Sequence, residues 1–323
     1  MGPRLLLTGA SGFVGGRVAA AAAVRADIAH VRLLTRIPTR APAPSSASFS
    51  AETVIGDLRD PASLRRACEG VDVLVHCASA IGADEDAARQ VNDEGTRALV
   101  DAAVRAGVSR IVSLGTASVH GRGPFRTAAP ATLPIAPGSA TSRTRAAGER
   151  HVLDAGGTVL RPHLVYGTGD RQLIPGLVRL LTALPGPLVR GGGSVHSVVD
   201  VESLAGALLG AALSPRTEPG AYYVGHPEPV TTEALLAAGE TLAGGLRGAP
   251  ETPVADIAAA CTLLADVPFA RHHLAMIGSD HWFADDRPWR ELGCAPGPGF
   301  AEGFAAHAPW YRGLLLGAVP SDS

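Results

Sequence analysis

Glycines recur in Gly9-Ala10-Ser11-Gly12-Phe13-Val14-Gly15, directly after the apolar run Leu5-Leu6-Leu7 and ahead of a helix-like stretch. Glycine at such a turn lets a pyrophosphate approach backbone N–H groups at a helix N-terminus, so Gly9, Ser11, Gly12, Phe13 and Val14 are candidate contacts for a dinucleotide. A second apolar run ends in Leu34-Thr35-Arg36. An acid at that point would hold a ribose diol, whereas an arginine suits a 2′-phosphate, so Arg36, with Arg40 in support, points to NADPH/NADP. His272, His273 and His281 lie close in sequence, but their spacing matches no metal motif and no metal is expected.

The elements that must position these residues alternate. Apolar runs at Leu5–Leu7, Val31–Thr35, Val54–Ile55, Val71–Cys77, Arg110–Leu114 and Thr158–Leu160 are separated by helical patterns, a βαβ rhythm of six strands. Continuous apolar strands between helices imply an α/β, Rossmann-type doubly wound parallel sheet with ligand at the carboxyl ends of its strands. Residues 1–165 with roughly 196–215 are assigned to an NADP-binding domain, and 166–195 with roughly 216–323 to a smaller, mostly helical substrate-binding domain. The 323 residues and 46% hydrophobic content exclude disorder, and a net charge of -2 gives no pull toward nucleic acid or anionic lipid. No apolar run is long enough for a membrane span, and Cys68, Cys77, Cys261 and Cys294 read as reduced thiols. The expected setting is cytoplasmic, the partner a small molecule, and the state monomer or homodimer. Every basic residue is arginine, with no lysine anywhere, and the first tyrosine is Tyr166.

Several segments, in order, resemble the extended short-chain dehydrogenase/reductases of the NAD-dependent epimerase/dehydratase superfamily. Beside the glycine loop these are Gly56-Asp57-Leu58, Val75-His76-Cys77-Ala78-Ser79-Ala80, Val91-Asn92-Asp93-Glu94-Gly95-Thr96 and Arg161-Pro162-His163-Leu164-Val165-Tyr166-Gly167. The resemblance implies adenine contacts at Asp57 and Leu58, cofactor contacts at Cys77, Ala78, Ser79 and Pro162, and a hydroxyl at Thr116 that orients a substrate carbonyl with Ser118 beside it.

The departures are as informative. Aligned through Ala147-Gly148-Glu149-Arg150, the family's Tyr-x-x-x-Lys pair becomes Thr141 and Arg145. Threonine is too weak an acid to replace the tyrosine, and Arg145 stays protonated, able to grip a ribose but not to trade protons. General acid catalysis contributes about 10²–10⁴-fold, against roughly 7–11 kcal/mol for orientation, so reduction survives the loss. The proton must then come from water, from His120 or His163, or from a phenol of the substrate. Leu164 and His196 replace the residues that grip a sugar-nucleotide diphosphate, and with His120 and His163 they are read as substrate contacts. The expected activity is NADPH-dependent reduction of a ketone on an aromatic polyketide. The alternatives are a retired NADP-binding sensor or scaffold and a sugar-nucleotide epimerase or dehydratase.

Overall fold

The protein was analysed as a computed structural model describing residues 2–38, 49–129, 132–190, 192–244 and 252–317. Its main sheet has seven strands, all parallel, in the order Gly220–Tyr223, Thr158–Arg161, Arg110–Leu114, Val73–His76, Arg4–Thr8, His30–Thr35, Ser50–Ile55. Alternate side chains enter opposite cores. Leu5, Leu7, Val73 and Val75 pack under the helices Phe13–Ala23 and Val201–Leu213, while Leu6 and Leu74 pack under Pro61–Cys68 and Thr96–Arg105. The small residues Gly15, Ala19, Ala22 and Ala23 on the buried face of the first helix let it lie close to the sheet.

The chain order reverses between Arg4–Thr8 and Val73–His76, which opens a crevice at the carboxyl ends of those strands. The sequence reading of six strands missed the seventh. Gly220–Tyr223 is the edge strand beside Thr158–Arg161 and lies outside the residues, roughly 196–215, expected to return to this sheet. Its signal was present in Ala221-Tyr222-Tyr223-Val224, an apolar β-prone run bounded by glycines.

A second core is built from the helices Leu173–Thr182, Thr232–Ala243, Pro268–Ile277 and Phe300–Leu315 around Leu177, Leu181, Leu235 and Tyr311. A small four-stranded sheet, in the order Val230–Thr231, Val195–His196, His281–Phe283, Phe125–Ala128, joins this layer to the loop after Thr116. All four cysteines are free thiols: Cys68 is buried, Cys77 and Cys294 are half-buried and Cys261 is exposed. Among the described residues no helix is long and apolar enough to cross a membrane.

Candidate active site

At the glycine loop, Gly12 caps the helix Phe13–Ala23 without any side-chain cap, which leaves its first amides free for an anion. Gly9 sits at φ +75°, and a Cβ there would lie 2.6 Å from the Ala78 N, so loop and strand end touch through backbone alone. A Cβ on Gly15 would lie 2.1 Å from the Gly9 carbonyl oxygen. Free amides and a cradle that side chains would fill fit a dinucleotide pyrophosphate, with Ser11 exposed and Phe13 and Val14 half-buried beside it.

Arg36 is exposed just beyond the second strand, whereas Arg40 lies outside the described residues. The Asp57 carboxylate accepts from Arg59 Nε at 3.0 Å and Nη2 at 2.7 Å. These bonds hold it down to about 2, so Asp57 meets any ligand already paired. Leu58 is buried against Gly95. Burial pushes the Cys77 thiol up to about 12. The Ala78 N–H donates to Thr8 Oγ1 at 3.3 Å, and Ser79 Oγ donates to Asn92 Oδ1 at 3.1 Å. The Pro162 carbonyl accepts from the Ala117 N–H at 2.9 Å.

Between the ends of Val73–His76 and Arg110–Leu114 lies a pocket lined by His76, Ser79, Thr96, Ser113, Arg145 and Glu149. Thr141 and Arg145 stand one turn apart on the helix Ala140–Asp154. The Thr141 hydroxyl makes no hydrogen bond among the described residues. Arg145 Nη2 donates to the Leu114 carbonyl at 3.0 Å and the Gly115 carbonyl at 2.8 Å. Both bonds are made by the one nitrogen, and Arg145 also lines the pocket. Burial lowers the Arg145 pKa, and the Glu149 charge opposes the fall.

Thr116 begins the single turn Ala117–His120. Its Oγ1 accepts from the Ser118 N–H at 3.2 Å and donates to Ser118 Oγ at 3.1 Å, so the two hydroxyls form one unit of which Ser118 is the exposed member. Its N–H donates to Glu149 Oε1 at 3.1 Å, and the other Glu149 oxygen accepts from Arg161 Nε at 2.8 Å. That ion pair is almost fully buried, with side chains 6% and 5% exposed. The sequence does not reveal this pair, because it forms only when two distant segments meet.

The structure bears on four proposed substrate or proton-bearing residues, His120, Leu164, His196 and His163. His120 Nδ1 lies 2.8 Å from the Pro134 carbonyl and must carry the proton, while Nε2 accepts from the Tyr223 hydroxyl at 2.7 Å. Both nitrogens are engaged and burial lowers its pKa, so His120 has no proton to lend. Leu164 is 5% exposed within the second core, and His196 is fully buried with Nε2 2.9 Å from Thr232 Oγ1, so neither offers a surface to a substrate. His163 is half-buried with no hydrogen-bond partner, but burial first, then His281 and His196, keep it neutral. A neutral imidazole is a poor acid, which also removes His163 as proton donor. Burial pushes the neighbouring Tyr223 phenol up to about 12.

Residues 6–237 match the description "3-beta hydroxysteroid dehydrogenase/isomerase family". The 4-hydroxy-2-methyl-3-oxo-4-farnesyl-3,4-dihydroquinoline-1-oxide ketoreductase of Stigmatella aurantiaca is 27% identical over 312 residues, covering 90% of this chain and 92% of the relative. The 2-alkyl-3-oxoalkanoate reductase of Stenotrophomonas maltophilia is 28% identical over 334 residues, covering 93% and 97%. A 3beta-hydroxysteroid-dehydrogenase/decarboxylase isoform 2 of Arabidopsis thaliana is 28% identical over 199 residues, 55% of this chain but only 35% of that protein. Among solved structures, a short-chain dehydrogenase/reductase superfamily protein of Agrobacterium tumefaciens with bound NAD aligns at TM-score 0.72 and 21% identity, over 98% of this chain and 99% of its own.

Proposed function

Because the chain belongs to the 3-beta hydroxysteroid dehydrogenase/isomerase family of extended short-chain oxidoreductases, we propose that it is an NADPH-dependent ketoreductase acting on a phenol-bearing aromatic ketone. The observation that carries this reading is the emptied acid position. Thr141 stands where the family's tyrosine would be, Arg145 gives its Nη2 to two backbone carbonyls, and His120 is locked between Pro134 and Tyr223. A substrate that brings its own acid, a phenol adjacent to or conjugated with the ketone, fits such a site. The aromatic polyketides of antibiotic pathways have this chemistry, and the enzyme that reduces the angucyclinone part of simocyclinone is the kind of catalyst meant. The two ketoreductase relatives support reduction of a carbonyl.

The bound nicotinamide supplies hydride. The chain's own residues bind, orient and exclude. The uncapped amides after Gly12 hold the pyrophosphate, and Arg36 supplies the charge that favours a 2′-phosphate over a bare ribose. The Thr116–Ser118 hydroxyl pair, fixed through Glu149 and Arg161, donates to the substrate carbonyl oxygen. Fixed donors need no reorganisation as charge develops on that oxygen.

The test is loss of NADPH absorbance with phenolic polycyclic ketones, their O-methyl ethers and sugar-nucleotide ketones, with NADH in parallel. Reduction of the phenols but not of their ethers, with NADPH favoured, is expected. An unchanged rate for the ethers refutes the substrate-supplied proton. Cofactor binding without turnover of any ketone supports a retired sensor or scaffold instead.

A further inference from the structure

The small sheet sets His196 opposite His281, and the turn after Thr158–Arg161 brings His163 against both. Ring centroids lie 4.6 Å apart for His163 and His281, 6.1 Å for His163 and His196, and 6.2 Å for His196 and His281. One ring nitrogen from each lies within 4.8 Å of the other two. We propose that His163, His196 and His281 form a binding site for a first-row transition-metal ion, with Zn²⁺ as its natural occupant.

The hydrogen bonds around the cluster assign the tautomers. His281 Nδ1 is 2.9 Å from the Ser279 carbonyl and must carry the proton, so Nε2 is the basic nitrogen; it accepts from the Gly123 N–H at 3.1 Å, a bond that a metal ion has to displace. Thr232 gives its hydroxyl proton to the Ile277 carbonyl at 2.7 Å, so His196 Nε2 donates to that hydroxyl and its Nδ1 is bare. Anchoring one ring nitrogen on a carbonyl or hydroxyl while the other stays basic is how proteins prepare a histidine for a metal.

Two nitrogens in the cluster, His196 Nδ1 and His163 Nε2, are buried without any partner, and buried polar atoms are seldom left that way. Burial also keeps the rings neutral, the form that coordinates. Asp280 and Glu233 add negative charge around the cluster, against Arg122.

Zinc takes imidazole nitrogen at about 2.0–2.1 Å, so the rings must close in from their present spacing. All three rings are stacked, with interplanar angles of 8°, 20° and 16°, and lone pairs in stacked planes do not meet. His163, which has no hydrogen bond among the described residues, and one of the two anchored rings must therefore rotate for the three nitrogens to converge. Three neutral nitrogens leave one position open for water or another oxygen ligand.

The proposal does not depend on ketone reduction. The full chain, stripped with a chelator and desalted, is titrated with Co²⁺ followed by visible absorption, and with Zn²⁺ by calorimetry. One ion per chain with a tetrahedral Co²⁺ spectrum is expected. His163→Ala, which breaks no hydrogen bond, should weaken binding at least tenfold, as should His196→Gln, while a His272→Ala/His273→Ala chain should bind as the wild type does. No saturable binding overturns the proposal, leaving the lone pairs to a buried water. Unchanged binding in both cluster variants, or its loss in the His272/His273 variant, also overturns it by placing the ion elsewhere.

Discussion

His76 ends a central strand beneath Arg145, with Nδ1 2.7 Å from Thr8 Oγ1 and Nε2 3.1 Å from Thr96 Oγ1. Burial, reinforced by the Arg145 charge, lowers its pKa from 6.5 to about 4. The unfolded ring therefore takes up its proton first as pH falls. The stabilisation is complete above pH 6.5 and is lost toward pH 4, since stability rises with pH wherever the unfolded chain binds more protons. With those two values, His76 alone removes about 2 kcal/mol by pH 5 and about 3 kcal/mol by pH 4. A domain's whole stability is only about 5–15 kcal/mol, so the loss is readily measured. Urea unfolding at pH 7.5, 6 and 5 is the assay, on the wild type and on His76→Gln. The variant should be less stable at pH 7.5 by roughly 1–3 kcal/mol for its disrupted hydrogen bonds. Its stability should then fall more slowly with acid, by about one proton's worth, 1.4 kcal/mol per pH unit in the steep region. Equal pH slopes in the two proteins would refute the buried, neutral His76.

Glu149→Gln should cost about 3 kcal/mol or more, because it leaves the Arg161 guanidinium buried without its counter-charge, and denaturant unfolding would report it. Arg36→Ser should weaken NADPH binding about ten- to a hundredfold, the worth of a charge-assisted phosphate contact, while leaving NADH unchanged in fluorescence titrations. Gly9→Ala should abolish binding of either cofactor while the chain still folds, since its Cβ would meet the Cys77–Ala78 backbone at the loop that receives the pyrophosphate; paired circular dichroism and cofactor titration check this. Thr116→Val should lower kcat/KM at least tenfold but stability by only about 1 kcal/mol, the worth of a lost turn cap.

The sheet and the glycine loop were legible because each is local: apolar runs, glycines and helix patterns lie within a few residues of one another. Gly220–Tyr223 was missed although its run was readable, because it follows a helix outside the regular alternation. The absence of lysine was legible too, since a lysine absent from the chain is absent from every alignment. What the sequence could not carry was side-chain direction. Arg145 occupies the expected helix position, but only coordinates show its Nη2 donating to Leu114 and Gly115. The same holds for His163, His196 and His281, which the sequence separates and a minor sheet gathers, while their sequence neighbours His272 and His273 stay apart.

The two losses at Thr141 and Arg145 form one physical change. A lysine beside a catalytic tyrosine serves as a mobile point charge that favours the phenolate. Without the phenol that charge has nothing to tune, and a buried cation without acceptors is a liability. Arginine resolves this, because its delocalised, planar head is more weakly hydrated and can give hydrogen bonds to two carbonyls at once. In the proposed reading the cation at this position passes from catalysis to holding the strand end on which Thr116 stands. The site then keeps its means of orienting a carbonyl while giving up its means of protonating it, and the chemistry depends on the acid a substrate brings.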